Sequence, residues 1–280
     1  MTERPGHATD LARTGARDDV DVVAVLGGDG TVNEAVNGLI GTDVPLAILP
    51  GGGADVFARS VGIPKDPSDA AELLGANFGG TEKARRVPLG HVVSGGAPER
   101  HTHRFFVANC GIGFDAAIVR SVESKPDVKR RVGDWYFVWV GLRLFFAPGF
   151  DRRTPHVELA WGEGPDERKE RLFLAIVQNT TPYTFLGGRA LRLCPDARLD
   201  GGLDCFAVDT MRTGTVVPLV LSAFGSARRV GGRHVTYLRD RTQFRIQSDR
   251  ALPAQVDGEY IGEHTDLIVE SLPDALSVVC

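Results

Sequence analysis

Five consecutive residues, Gly27-Gly28-Asp29-Gly30-Thr31, stand between a β-branched run and an amphipathic stretch. Glycines let backbone N–H groups approach a polyphosphate closely. A helix starting near Val32 adds the positive end of its dipole. Asp29 cannot attract a phosphate itself, because two anions repel. It fits as a ligand of a Mg2+ ion that neutralises the phosphates. The Thr31 hydroxyl can donate to a phosphate oxygen. The same residues also suit a tight strand-to-helix turn, with Thr31 as N-cap and Asn33 and Glu34 in the first helical turn.

The flanking pattern says what must hold this loop. Val20 to Leu26 reads as a buried strand, and Val32, Ala35, Val36, Leu39 and Ile40 fall on one face of a helix. Pro45 to Leu49 reads as a second strand that runs into Gly51 to Gly53 and a short helical stretch. Phe105 to Cys110 runs into Gly111-Ile112-Gly113 and a helix from near Asp115. Strand, glycine loop and helix thus recur three times. That predicts a parallel sheet covered on both faces, with ligands at the carboxyl ends of its strands.

The second half has a different rhythm. Strands are expected at Val157 to Trp161, Leu172 to Gln178, Leu203 to Val208, His234 to Leu238, Gln243 to Gln247 and Asp266 to Glu270. Turn-rich segments between them indicate an antiparallel sandwich or barrel. Helices are expected around Val132 to Phe146 and Val216 to Ala227. The division is an α/β domain over 1–95 and a mainly antiparallel β-sandwich domain over 96–280. Ser94 to His103 forms the loop between them, and the last strand is free to return to the first domain.

Composition narrows the function classes. The chain has 280 residues, 32 basic against 36 acidic, for a net charge of −4. That argues against a general nucleic-acid binder. Cys110, Cys194, Cys205 and Cys280 form no C-x-x-C pair, so a zinc site and a disulfide framework are not expected, and a reducing, cytoplasmic setting is. The polar N-terminus lacks a signal h-region. The longest apolar stretch, Trp135 to Phe150, contains Arg143 and is too short to span a bilayer, so no transmembrane helix is expected.

GGDGTVNEAVNGL resembles the nucleotide loop of the diacylglycerol kinase catalytic-domain family, a group of lipid kinases distantly related to NAD kinases and phosphofructokinases. LPGGGADVFARSVGIP resembles the family's second loop, NCGIGFDAAIVR its third, CPDARLDGGLDCF its late turn and VDGEY its catalytic-acid segment. The resemblance runs from Thr2 to Tyr260. It implies an NAD kinase/phosphofructokinase-like α/β domain for nucleotide and a β-sandwich domain for lipid. It also implies an ATP-dependent transfer of phosphate to a lipid hydroxyl, most simply that of diacylglycerol. Gly27, Gly28, Asp29, Gly30 and Thr31 would then hold ATP and Mg2+, with Gly52, Gly53 and Thr2 beside them. Glu259 would be the general base, and Asp115 would order the metal-binding network. On the residues alone, Asp257-Gly258 reads as a hairpin turn with Glu259 solvated on the following strand, Asp115 as a helix-start residue, and Arg59 as a solvated helix residue.

The match departs from the family in places. The chain begins inside the expected first helix, after the family's first strand. Gly53 stands where the family has a hydroxyl residue, Asp55 where it has asparagine, Pro88 where it often has aspartate, and Gly201 where an acidic residue often binds a structural magnesium. The aromatic segment from Trp135 to Phe146, preceded by Lys129, Arg130 and Arg131, suits either a core helix or an anionic membrane surface. A lipid substrate implies peripheral contact at the inner face of the membrane. Two other readings remain at this level, an NAD kinase and a catalytically weak protein that binds lipid or nucleotide. Oligomeric state is not legible.

Overall fold

The computed structural model describes residues 1–77, 84–95, 103–133, 135–162, 164–225, 227 and 230–280. The N-terminal part is α1 (His7–Arg17), β1 (Val23–Gly27), α2 (Asp29–Leu39), β2 (Leu46–Pro50), α3 (Val56–Ser60) and α4 (Pro67–Asn77). β1 and β2 pair in parallel, from Val23 opposite Leu46 to Gly27 opposite Pro50. β2 is apolar along its length because both of its faces are covered. Leu46 and Ile48 pack with Val36 and Leu39 of α2, while Ala47 packs with Leu74 of α4. Helices on both faces of a parallel pair give the three-layer arrangement. α1 lies against α2, and the Glu34 side chain accepts the Gly6 and Ala8 N–H groups at 2.8 and 3.0 Å, capping α1.

The remainder is a mostly antiparallel sandwich. Its elements are β3 (Ala84–Ser94), β4 (His103–Phe106), β5 (Asn109–Gly113), α5 (Phe114–Glu123), α6 (Pro126–Val132), α7 (Trp135–Phe145), β6 (Val157–Trp161), β7 (Arg168–Leu172) and β8 (Leu174–Gln178). They continue as β9 (Thr184–Leu186), β10 (Arg189–Leu191), β11 (Leu203–Val208), α8 (Thr213–Ala223), β12 (Val235–Arg241), β13 (Gln243–Val256) and β14 (Glu259–Val279). β8 and β11 are buried throughout because each serves two cores. Ala175, Val177, Cys205 and Ala207 face the sandwich interior. Leu174, Ile176, Phe206 and Val208 face α8 and α7. Period two explains how one apolar run fills two compartments.

β14 is 21 residues long and joins the two parts. Near its start it pairs antiparallel with β13, and at its end Val278 and Val279 pair in parallel with Leu46 and Ala47 of β2. β3 runs along β14, from Ala84 opposite Val279 to Ser94 opposite Leu267. Of the loop expected over Ser94 to His103, residues 96–102 lie outside the described residues, while Ser94 ends β3 and His103 begins β4.

Two local expectations are corrected. The third strand–glycine–helix unit is not a parallel one: β5 pairs antiparallel with β13 and β8, and Gly111 to Gly113 lie within the strand. Helix α2 starts at Asp29 rather than near Val32, so the glycine motif is largely the helix's own first turn. Its N-cap is Gly28, not Thr31, and no side chain caps it. Among the described residues, no helix is long and apolar enough to cross a membrane.

Candidate active site

The first helical bond of α2 runs from Val32 N–H to the Gly28 carbonyl. The N–H groups of Asp29, Gly30 and Thr31 therefore have no helical acceptor, which leaves an anion-binding terminus at the end of β1. The second glycine loop lies against the first, and Gly51 N–H donates to the Gly27 carbonyl at 3.0 Å. A Cβ on Gly52 would stand 2.8 Å from the Gly28 Cα, so both loops need glycine for this contact. Asp55 turns its carboxylate back onto the Gly52 N–H at 2.9 Å, which gives this departure from the family pattern a local partner.

Asp29 accepts the Val56 N–H at 2.7 Å and so joins the first loop to the start of α3. Burial raises its pKa to about 6, helped by repulsion from Asp257 and Asp55, and the Val56 and Phe57 N–H groups pull the other way. A carboxylate in such company is one a cation would stabilise. Among the described residues no three His, Cys, Asp or Glu side chains gather as a metal site. Asp29 accordingly fits a metal carried by substrate phosphates and waters rather than a full protein cage.

Asp257 and Gly258 form the two-residue turn between β13 and β14, with φ of +48° and +79°. Both residues need left-handed backbone, which is why Asp-Gly stands here. The Asp257 side chain does more than shape the turn. It accepts the N–H groups of Val107, Ala108 and Asn109, each at 2.9 Å, and the Asn33 side-chain amide at 2.7 Å. Burial pushes its carboxyl up, and these donors pull it down. One aspartate thus ties α2, the β4–β5 link and the β13–β14 turn together. Asn179 holds the same link from its carbonyl side, through Val107 O at 3.1 Å, and also reaches the carbonyl of buried Pro88 at 2.9 Å.

Asp115, in the first turn of α5, accepts the Tyr183 hydroxyl at 2.6 Å and the Gln255 amide at 2.9 Å. The same amide donates to Asn109 Oδ1 at 2.7 Å, and Gln255 Oε1 accepts the Gly258 N–H at 2.8 Å. Burial raises the Asp115 pKa, opposed by those two hydrogen bonds. Glu259 follows the turn and is ion-paired with Arg104 of β4, so it is not merely a solvated strand residue. Arg59 is likewise engaged, with its guanidinium 3.3 Å from the Phe185 ring centre.

These groups share one cavity of about 1070 Å³. Gly28, Asp29, Gly30, Thr31, Gly52 and Gly53 line one end, and Thr2, Asp115, Asp257 and Glu259 border the same space. Gly27 stands behind the loop as the last residue of β1. The other end is apolar, walled by Ile176, Phe206 and Val208 from the sheet and by Phe145 and Leu219 from α7 and α8.

A family model for the diacylglycerol kinase catalytic domain matches residues 1–87. A second, the YegS C-terminal NAD kinase beta sandwich-like domain, matches residues 108–280. The chain belongs to the diacylglycerol kinase family. Its relatives include a diacylglycerol kinase of Bacillus subtilis, 25% identical over 92% of this chain and 77% of that protein. Another, from Mycobacterium tuberculosis, is 30% identical over 65% of this chain and 53% of its own length. In fold, a diacylglycerol kinase structure from Bacillus anthracis superposes with a TM-score of 0.64 at 21% identity, covering 99% of this chain and 82% of that one. Yeast NADH kinase reaches 0.52 at 11% identity over 92% of this chain and 60% of its own, a likeness of fold alone.

Sequence reasoning does not single out Asn33, Arg104, Asn109, Tyr183 or Gln255 as site residues. Asn109 carries a usable signal, a polar residue inside the apolar run FFVANC, since buried polar groups in such runs need partners. Gly201 lies in a separate groove with Asp204 and Asp240. There Asp204 accepts the Tyr237 hydroxyl and the Asp240 N–H, both at 2.9 Å, and Asp240 accepts the Gly202 N–H at 2.7 Å. The acids of that groove are thus bonded within the protein.

Proposed function

We propose that the protein is an ATP-dependent lipid kinase that phosphorylates a lipid hydroxyl, with diacylglycerol or a closely related lipid as acceptor. One observation carries this reading. The free helix N-terminus with its clustered carboxylates and the apolar channel open into the same cavity. A nucleotide kinase acting on a polar acceptor has no use for that channel. The N–H groups of Asp29, Gly30 and Thr31 receive the phosphates, with Gly52, Gly53 and Thr2 alongside. Mg2+, bound together with the nucleotide, would supply charge neutralisation, and Asp29 is the carboxylate of this chain that fits it.

Glu259 takes the proton of the lipid hydroxyl. The hydroxyl oxygen bonds to the γ-phosphorus as the bond from that phosphorus to the β–γ bridging oxygen breaks, and ADP leaves. Arg104 orients the Glu259 carboxylate. Asp115, held by Tyr183 and Gln255, orders the polar wall between Glu259 and the phosphate loop. A substrate that lives in the bilayer brings the protein to the membrane's inner face.

The test is incubation of the purified protein with γ-labelled ATP, Mg2+ and a panel of lipids in mixed micelles, with NAD as a separate acceptor. Label is expected in one lipid class and strongly reduced for Asp29→Asn. Label in NAD would replace the lipid reading with NAD kinase activity. Lipid binding without label would favour a protein that binds but does not transfer.

A further inference from the structure

We infer that the outer faces of α7 and α8 form a bilayer-docking surface that seats the mouth of the cleft on an anionic membrane. The inference deepens the lipid-kinase reading and rests on it for the identity of what enters the cleft. Trp135, Trp139, Leu142 and Phe146 recur at steps of four, three and four, one stripe along a helix. They are 61%, 54%, 53% and 56% exposed. The core does not use this stripe: α7 buries Tyr136 and Val140 against Val122 of α5 on another side. The helix is therefore apolar on more faces than folding requires. On α8, Val217, Val220 and Leu221 are exposed as well.

Position gives the patch its meaning. Leu142, Phe146 and the three α8 residues also line the cleft, so the exposed surface is continuous with the channel wall. A lipid could pass from a bilayer into the channel along that surface without crossing water. The flanking chemistry is that of an interfacial helix. The Arg143 guanidinium lies 5.7 Å from the Trp139 ring centre, and Arg131 is exposed at the end of α6. The α6 sequence, PDVKRRV, carries three basic residues against one acidic. Basic residues beside an aromatic stripe complement anionic headgroups, and such faces sink into the interface by about 5–10 Å.

The native tryptophans make the experiment direct. Of the chain's three, Trp161 packs against the sandwich core, and Trp135 and Trp139 lie on the stripe. The full chain is mixed with vesicles of phosphatidylcholine and phosphatidylglycerol, with and without brominated acyl chains, and both fluorescence and co-sedimentation are read. Quenching by brominated lipid is expected, with binding that strengthens as the anionic fraction rises. Replacing the stripe tryptophans, Trp135→Ser with Trp139→Ser, is expected to weaken sedimentation by about tenfold or more. Neither residue lines the cleft, so turnover of a short-chain lipid dispersed as monomers should persist. The absence of quenching at every anionic fraction overturns the proposal. So does a concentration-dependent dimer that the double variant abolishes, which would assign the face to a second copy of the chain. Normal vesicle binding without phosphoryl transfer would instead sink the kinase reading and leave the docking surface standing.

Discussion

At the polar end of the cleft, four N–H donors converge on Asp257 and two donors on Asp115. At the apolar end, Ile176, Phe206 and Val208 meet α7 and α8 through shape alone. The first is directional and saturated, so loss of a single acceptor strands donors in a dry place. The second answers to volume and yields gradually. One fold thus carries an intolerant polar end and a tolerant apolar end, and substitutions should sort accordingly.

The largest effect is expected at Asp257. Replacing it with alanine removes the acceptor shared by Asn33 and three backbone N–H groups, at a cost of about 3–5 kcal/mol in unfolding free energy. Urea denaturation would measure it. A loss below about 1 kcal/mol would mean that water or neighbouring groups replace the carboxylate, and the contrast between the ends would weaken.

Asp29 comes next, and it separates charge from scaffold. Asn at 29 can still accept the Val56 N–H, so the fold should survive while turnover falls by about 10²–10³-fold. The pH dependence has a definite sign. With a pKa of about 6 in the fold against 3.8 as the ordinary value, the native state holds this proton more tightly than the unfolded chain does. Asp29 therefore destabilises the fold progressively as pH rises from 4 to 6, and no further above that. The stability of Asp29→Asn relative to the parent should rise across that window and then level. If ionised Asp29 is required, kcat/KM should climb with a midpoint near 6 and lose that limb only through this residue.

Tyr183→Phe is milder. It deletes the 2.6 Å bond to Asp115 and leaves Gln255 as the remaining donor to that carboxyl, which should move further up. Stability should fall by about 1 kcal/mol and turnover by about tenfold, with KM for ATP little changed. An unchanged rate would remove Asp115 from the machinery.

The contrast between the ends also explains what was legible beforehand. Gly27 to Thr31 and Asp257-Gly258 announce themselves because close loop-to-loop packing at a helix start and a left-handed turn each demand particular residue types at fixed spacing. β6 and β11 are read to the residue because turns bound their apolar runs. The start of α2 lies three residues before the point the apolar pattern marks, because Gly28 caps it without a side chain, and side-chain caps are what sequence reveals. β14 is legible only in its middle, since Pro273 and the Asp274 φ of +49° break its pattern where its register against β3 shifts between Leu272 and Leu276. The Asp115–Gln255–Asn109 network is long-range, joining residues 140 and 146 positions apart, and no local pattern encodes such pairing. The apolar end has no motif at all; it exists only once β8, β11, α7 and α8 are assembled.

The smallest expected effect probes that end directly. Val217 lies at the mouth, 42% exposed, on a turn of α8 that also borders the cavity. Val217→Trp adds bulk where solvent already has access, so overpacking strain is avoided and stability should hold within about 0.5 kcal/mol. The added ring narrows the entrance. KM for long-chain lipids should rise about threefold, KM for ATP should not move, and short-chain lipids should be nearly unaffected, because one altered apolar contact discriminates modestly. A shift in the ATP constant instead would show that the two ends are mechanically coupled, and the division of labour between them would have to be redrawn around α8.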